Sequence, residues 1–259
     1  MGLDIYAGTL TRYYSRNWKN IVQQISEENG KKCVMTGRDG KEIEPIEDKA
    51  EIDEIRDFIY QWANKFTTGI DQPLPSPLWD ENNECGYFTD KPGWEAYGAL
   101  AVVQACILLN KPLPKYAKIG WNPFKEPVVE KAMSKNFVNS LLSDVTFWLP
   151  IPVKAVCETL SPTGVENKIS TVELLRHELE EINRSLWQAD EPTILSWRND
   201  KYYNPVKKRP TLFSRFFRRT NKKEEEVYDT EELAQCAYSM LYQAVKFATE
   251  NKVPIVLDY

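Results

Sequence analysis

The first fourteen residues, MGLDIYAGTLTRYY, commit the chain to a sheet from its start. Leu3, Ile5 and Ala7 alternate with Asp4, Tyr6 and Gly8, the two-residue period of a strand with one face turned inward. The other end reads the same way. After Pro254, residues Ile255 to Tyr259 form a short closing strand. Between these ends, helical and hairpin patterns are mixed, without regular strand-helix-strand alternation, which argues against a doubly wound parallel sheet. The expected class is α+β: a mixed or mainly antiparallel sheet that includes both terminal strands, covered by about five or six helices.

Taken in order, Ser15 reads as an N-cap, and Trp18, Ile21, Val22 and Ile25 as one buried helix face. Lys32 to Thr36 and Lys41 to Ile46 read as a hairpin around Gly37-Arg38-Asp39-Gly40. A helix from Asp48 to Phe66 carries the seam Ile52, Ile55, Ile59, Trp62 and Phe66. Thr67 to Lys91 then form a long ordered loop, of the kind that tends to be functional. The next helix, capped by Asp90 and opened by Pro92, is apolar almost all round. Shorter helices are expected over Pro127 to Lys135 and Phe137 to Ser143. Val145 to Leu149 is a strand that Pro150 and Pro152 end or confine to an edge.

A second hairpin joins Val153 to Leu160 with Val165 to Ser170. Ser170 and Glu173 form a capping box for a helix with the seam Leu175, Leu179, Ile182 and Leu186. Glu191 to Asn204 reads as irregular. The last helix starts near Asp229 or Thr230 and presents Leu233, Cys236, Met240, Ala244 and Phe247. Residues 1–259 are expected to form a single domain, with a mobile basic insertion at 205–227.

Charge is segregated. The net charge is −5, yet Lys207 to Lys223 contain eight Lys or Arg and no acid, so the remainder stands at −13. An acidic body speaks against a broad nucleic-acid face and suits a basic protein partner. Within the basic segment, Phe216 and Phe217 are interleaved with Arg215 and Arg218, a pattern that suits an anionic membrane surface. The five cysteines are scattered and odd in number, and Asp4 and Arg12 interrupt any leader-like apolar run. Both features point to a reduced, cytoplasmic setting.

Strong catalytic signatures are missing. The sequence has no phosphate loop, dinucleotide fingerprint or nucleophile elbow, and His177 is its one histidine. Glu173, His177 and Glu181 share a helix face at metal-ligand spacing, but that face lies off the apolar seam and is expected to meet water. No cofactor is expected. Asp4 and Asp258, each on an apolar strand, could pair if the terminal strands are neighbours. With Arg12 they offer a metal-assisted hydrolase or phosphoryl-processing alternative. The leading expectation is a non-catalytic cytoplasmic binding protein of the inhibitor, immunity-like or adaptor kind, whose acidic, aromatic-rich body holds a basic protein partner; a second alternative is a peripheral membrane or scaffold role through residues 207–223. Its binding residues would be Trp79, Asp80, Glu81, Glu84, Tyr87 and Phe88, together with Arg215, Phe216, Phe217 and Arg218.

Overall fold

In a computed structural model of the chain, residues 3–34, 42–67, 78–118, 120–135, 137–198, 206–207 and 226–258 are described. The opening alternation becomes strand β1 (Asp4–Ala7). On one side β1 pairs antiparallel with β2 (Phe88–Asp90), and on the other with the C-terminal strand β9 (Ile255–Asp258). The sheet continues through β4 (Val145–Leu149), β6 (Glu166–Thr171) and β5 (Val156–Leu160), in the order β2-β1-β9-β4-β6-β5. Only β4 and β6 run parallel, so the sheet is mixed. The protein is α+β, both terminal strands belong to its main sheet, and the described residues include eight helices.

By proximity the chain forms two compact units. One comprises Met1–Lys91, Val138–Glu180 and Leu241–Tyr259; the other comprises Pro92–Phe137 and Glu181–Met240. The first unit holds the six-stranded sheet. Its core gathers Tyr6, Leu10, Trp18, Ile59, Trp62, Trp79, Phe147, Leu149, Ile169 and Val256. Tyr6 is fully buried, and Ile5 and Ala7 on the opposite face of β1 are fully buried too. The alternation therefore marks a strand covered on both sides, because aromatic bulk stands where a half-exposed strand would carry polar groups.

Helix α1 (Leu10–Tyr14) follows β1 directly, with the Thr9 side chain accepting from the backbone of Arg12. Ser15 closes this helix and does not open the next, and Arg16 turns the chain through a left-handed conformation at φ 60. Helix α2 (Ile21–Glu28) starts at Asn20, which forms a reciprocal capping box with Gln23. Trp18 is buried ahead of the helix, whereas Val22 and Ile25 are 43% and 50% exposed. Of the expected buried face, Trp18 is buried, Ile21 is half-buried, and Val22 and Ile25 are exposed. Helix α3 (Lys49–Thr67) buries Ile59 and Trp62 as its seam predicts. The turn expected at 37–40 lies outside the described residues, though Lys32 and Glu42 on its flanks form an ion pair at 3.4 Å. Residues 88–90 of the expected long loop are β2, an edge strand.

β4 ends at Leu149, before Pro150, and lies inside the sheet between β9 and β6. The β5–β6 hairpin forms as expected. Helix α6 (Val172–Ile182) is capped by the Thr171 hydroxyl, which accepts from Leu174 N. Ser170 is instead a strand residue whose hydroxyl donates to Ala155 O, so the cap falls one residue later than the sequence pattern suggests. No helix forms at 137–143 among the described residues. Instead Glu178, 3% exposed, accepts from Ser140 N and Ser140 Oγ at 2.5 Å each and holds that segment in turns.

The second unit contains α4 (Gly93–Leu108), whose residues Ala96 to Cys106 are all buried. It also holds a three-stranded sheet of β3 (Tyr116–Lys118), β8 (Glu226–Asp229) and β7 (Val206–Lys207). Helix α5 spans Pro127–Met133. Helix α7 (Glu191–Ser196), capped by Asp190, stands where irregular chain was expected. The last helix, α8, runs from Thr230 to Asn251. Residues 208–225, which carry most of the expected basic insertion, lie outside the described residues.

Candidate functional site

The site is built where β1, β9 and α1 meet. Antiparallel register sets Asp4 directly opposite Asp258. Opposed residues hold their Cβ atoms about 5 Å apart and point to the same face. Asp4 is engaged there by Lys91, whose Nζ lies 3.0 and 3.1 Å from its two carboxylate oxygens. Asp258 meets α1: the Tyr13 hydroxyl is hydrogen-bonded to it, and Tyr14 feels its charge.

Five aromatic rings gather at this corner. Tyr6 contacts Tyr13, Trp18 and Tyr87 at centroid distances of 5.4, 4.9 and 6.0 Å. Tyr13 and Trp18 stack at 5.7 Å with planes 21° apart, and Tyr14 stands edge-on to Tyr13 at 5.1 Å. Hydrogen bonds fix these rings. Tyr6 OH donates to Thr9 O at 2.9 Å, and Tyr87 OH accepts from Lys19 N at 3.1 Å. Gly8 is required here, because a Cβ at that position would run into the Tyr6 hydroxyl and touch Tyr87 Cβ. Burial pushes the Tyr6, Tyr13 and Tyr14 hydroxyls well above the ordinary tyrosine range, and the Asp258 carboxylate adds to the rise for Tyr13 and Tyr14.

Against this wall lies an open groove of about 640 Å³. Tyr13, Tyr14, Trp18, Tyr87 and Asp258 line its aromatic side, and Arg16, Lys19, Glu27, Lys32 and Glu42 contribute to its rim. The rim is largely neutralised from within, with Lys19 2.7 Å from Glu27 and Lys32 3.4 Å from Glu42. Such a groove offers flat π-faces beside a carboxylate, the surroundings that favour a cation.

No family model, curated protein or solved structure matches the chain. The reading of the site therefore rests on its own chemistry.

Residues 78–87, expected as a binding loop, are a strap. Glu81 is fully buried and accepts from Leu10 N at 3.2 Å, Thr11 N at 2.6 Å and Trp79 Nε1 at 2.5 Å. Burial raises its pKa, and those hydrogen bonds partly oppose the rise. Trp79 is 4% exposed and meets Trp62 edge-on in the core. Neither side chain reaches the surface. Asp80 and Glu84 are exposed, and Phe88 rests against Phe247. Of the six expected loop contacts, Tyr87 alone lines the groove. Arg215, Phe216, Phe217 and Arg218 lie outside the described residues.

Arg12 joins neither aspartate. Its guanidinium donates to Cys85 O at 2.7 Å and to Asn83 O, and sits 5.2 Å over the Tyr87 ring. These bonds aim it at the strap. Among the described residues no group of three or more His, Cys, Asp or Glu is placed to hold a metal ion. On the His177 helix, Glu173 is bound by Arg176 and Glu181 by Arg184. Sequence reasoning missed Trp18 and Arg16 as groove residues, because it placed them on or before a helix that starts later. The tyrosine pair at 13 and 14 was the available signal.

Proposed function

We propose that the protein is a non-catalytic binding protein that holds a basic protein partner. The carrying observation is the groove that Asp258 lines together with Tyr13, Tyr14, Trp18 and Tyr87. Fixed aromatic faces next to a carboxylate bind cationic groups without reorganising, which lowers the entropy cost of association. The net charge of −5, and of −13 outside residues 207–223, adds long-range attraction for such a partner. A cytoplasmic setting fits the reading, since all five cysteines are free thiols. Among the described residues no helix is long and apolar enough to cross a membrane.

Calorimetric titration with a short Arg/Lys-rich peptide and with a Glu-rich peptide of equal length tests this. The basic peptide is expected to bind at low ionic strength and to weaken as salt is added, and the acidic one not to bind. Absence of binding to the basic peptide at low salt overturns the proposal.

A further inference from the structure

Which cationic group the groove takes can be read from its shape, an inference that rests on the binding reading above. An ammonium is compact and strongly hydrated, and it is satisfied by a point charge. A guanidinium is planar and weakly hydrated. It stacks on aromatic faces and presents a fork of donors to a carboxylate. The groove supplies aromatic surface: Tyr13, Tyr14, Trp18 and Tyr87 all line it. Asp258 lines the same wall and supplies a carboxylate beside those faces. The protein already uses this chemistry within the cluster, where the Arg12 guanidinium lies over the Tyr87 ring while donating to two carbonyls.

Rim charge does not decide the matter. Lys19 and Lys32 are each opposed by a glutamate, and Arg16 stands exposed at the mouth. A partner's backbone carbonyl or neighbouring acid would meet Arg16 as its side chain enters. The geometry points to an arginine side chain of the partner as the occupant, its guanidinium packed against the half-buried Tyr13 and Tyr14 and bound to Asp258. Pre-set rings and a pre-set carboxylate make the groove selective for arginine over lysine.

The test uses the full chain and two small probes, N-acetyl-arginine amide and N-acetyl-lysine amide, titrated by calorimetry. The arginine probe is expected to bind several-fold more tightly than the lysine probe. Asp258→Asn keeps an acceptor for Tyr13 and removes the charge, so it is expected to weaken the arginine probe by about tenfold or more. Tyr14→Leu, which removes the ring, is expected to lose binding. Thermal melts show whether each variant is folded, and Asp258→Asn carries the test if Tyr14→Leu proves unstable. Equal affinity for the two probes overturns the inference. So does arginine binding that survives both Asp258→Asn and Tyr14→Leu. In either case, retained binding of the Arg/Lys-rich peptide leaves the general reading standing. Loss of peptide binding in the unaltered protein removes both.

Discussion

At the residue scale, Glu81 shows how a carboxylate in an aromatic, acid-rich stretch becomes architecture. It takes three buried N–H donors, two at the start of α1 and one from Trp79. Glu81→Ala leaves those donors without partners and is expected to cost about 3 kcal/mol in urea unfolding. Glu81→Gln, which turns an amide donor towards one of them, should cost less. The pH dependence follows from the raised pKa. From its ordinary value near 4.5 upwards, the folded Glu81 keeps a proton that the unfolded chain has lost. Stability from this group is therefore full below that value and declines as pH rises through the raised one. Denaturation across mildly acidic pH should show this slope, and Glu81→Gln should remove it. Tyr6, Tyr13 and Tyr14 behave alike at the alkaline end. Unfolded tyrosines ionise near 10 while these three hold their protons, so stability falls above that pH. Their tyrosinate absorbance should appear only as the fold is lost.

At the scale of elements, α2 and α3 carry similar apolar periodicity and meet different fates. Val22 and Ile25 on α2 are exposed, and Ile59 on α3 is fully buried. Lysine at position 22 or 25 is expected to change stability by no more than about 0.5 kcal/mol, whereas Ile59→Ala should cost about 2–5 kcal/mol. Chemical denaturation of the three variants separates the cases. Within the second unit, Gly98 lets α4 approach the turn at Pro123, where any Cβ would collide with the proline ring. Gly98→Ala is accordingly expected to destabilise by about 1–3 kcal/mol. These contrasts explain what the sequence could reveal. Long seams such as that of α3, the β5–β6 hairpin and both terminal strands were legible, because period and turn chemistry specify them locally. The starts of α1, α2 and α7 were not, since short helices depend on a single cap and Ser15 can end a helix as well as begin one. The strap was half legible. Its aromatics and acids stood out, but exposure of Asp80 against burial of Glu81 is decided by long-range donors on α1.

At the scale of the whole molecule, the register of β1 against β9 joins residues 4 and 258, the two ends of the chain, at one corner of the sheet. No local pattern contains that pairing, although strands at both ends made it conceivable. It places Asp258 within reach of the Tyr13 hydroxyl on α1 and so adds a carboxylate to the groove. Charge acts over a longer range than the groove does. Outside residues 207–223 the chain carries −13, and the eight cations of that segment oppose the attraction such a charge exerts on a basic partner. Replacing those eight Lys and Arg residues with Gln should therefore speed association with an Arg-rich peptide by about tenfold at low ionic strength. Dissociation, set by contacts within the groove, should change little. Near 1 M salt, where screening acts within about 3 Å, the two proteins should associate at the same rate. Stopped-flow measurement across a salt series reads both quantities. A difference that persists at high salt, or that appears in dissociation alone, would mean that the segment touches the peptide directly and does not act through the field.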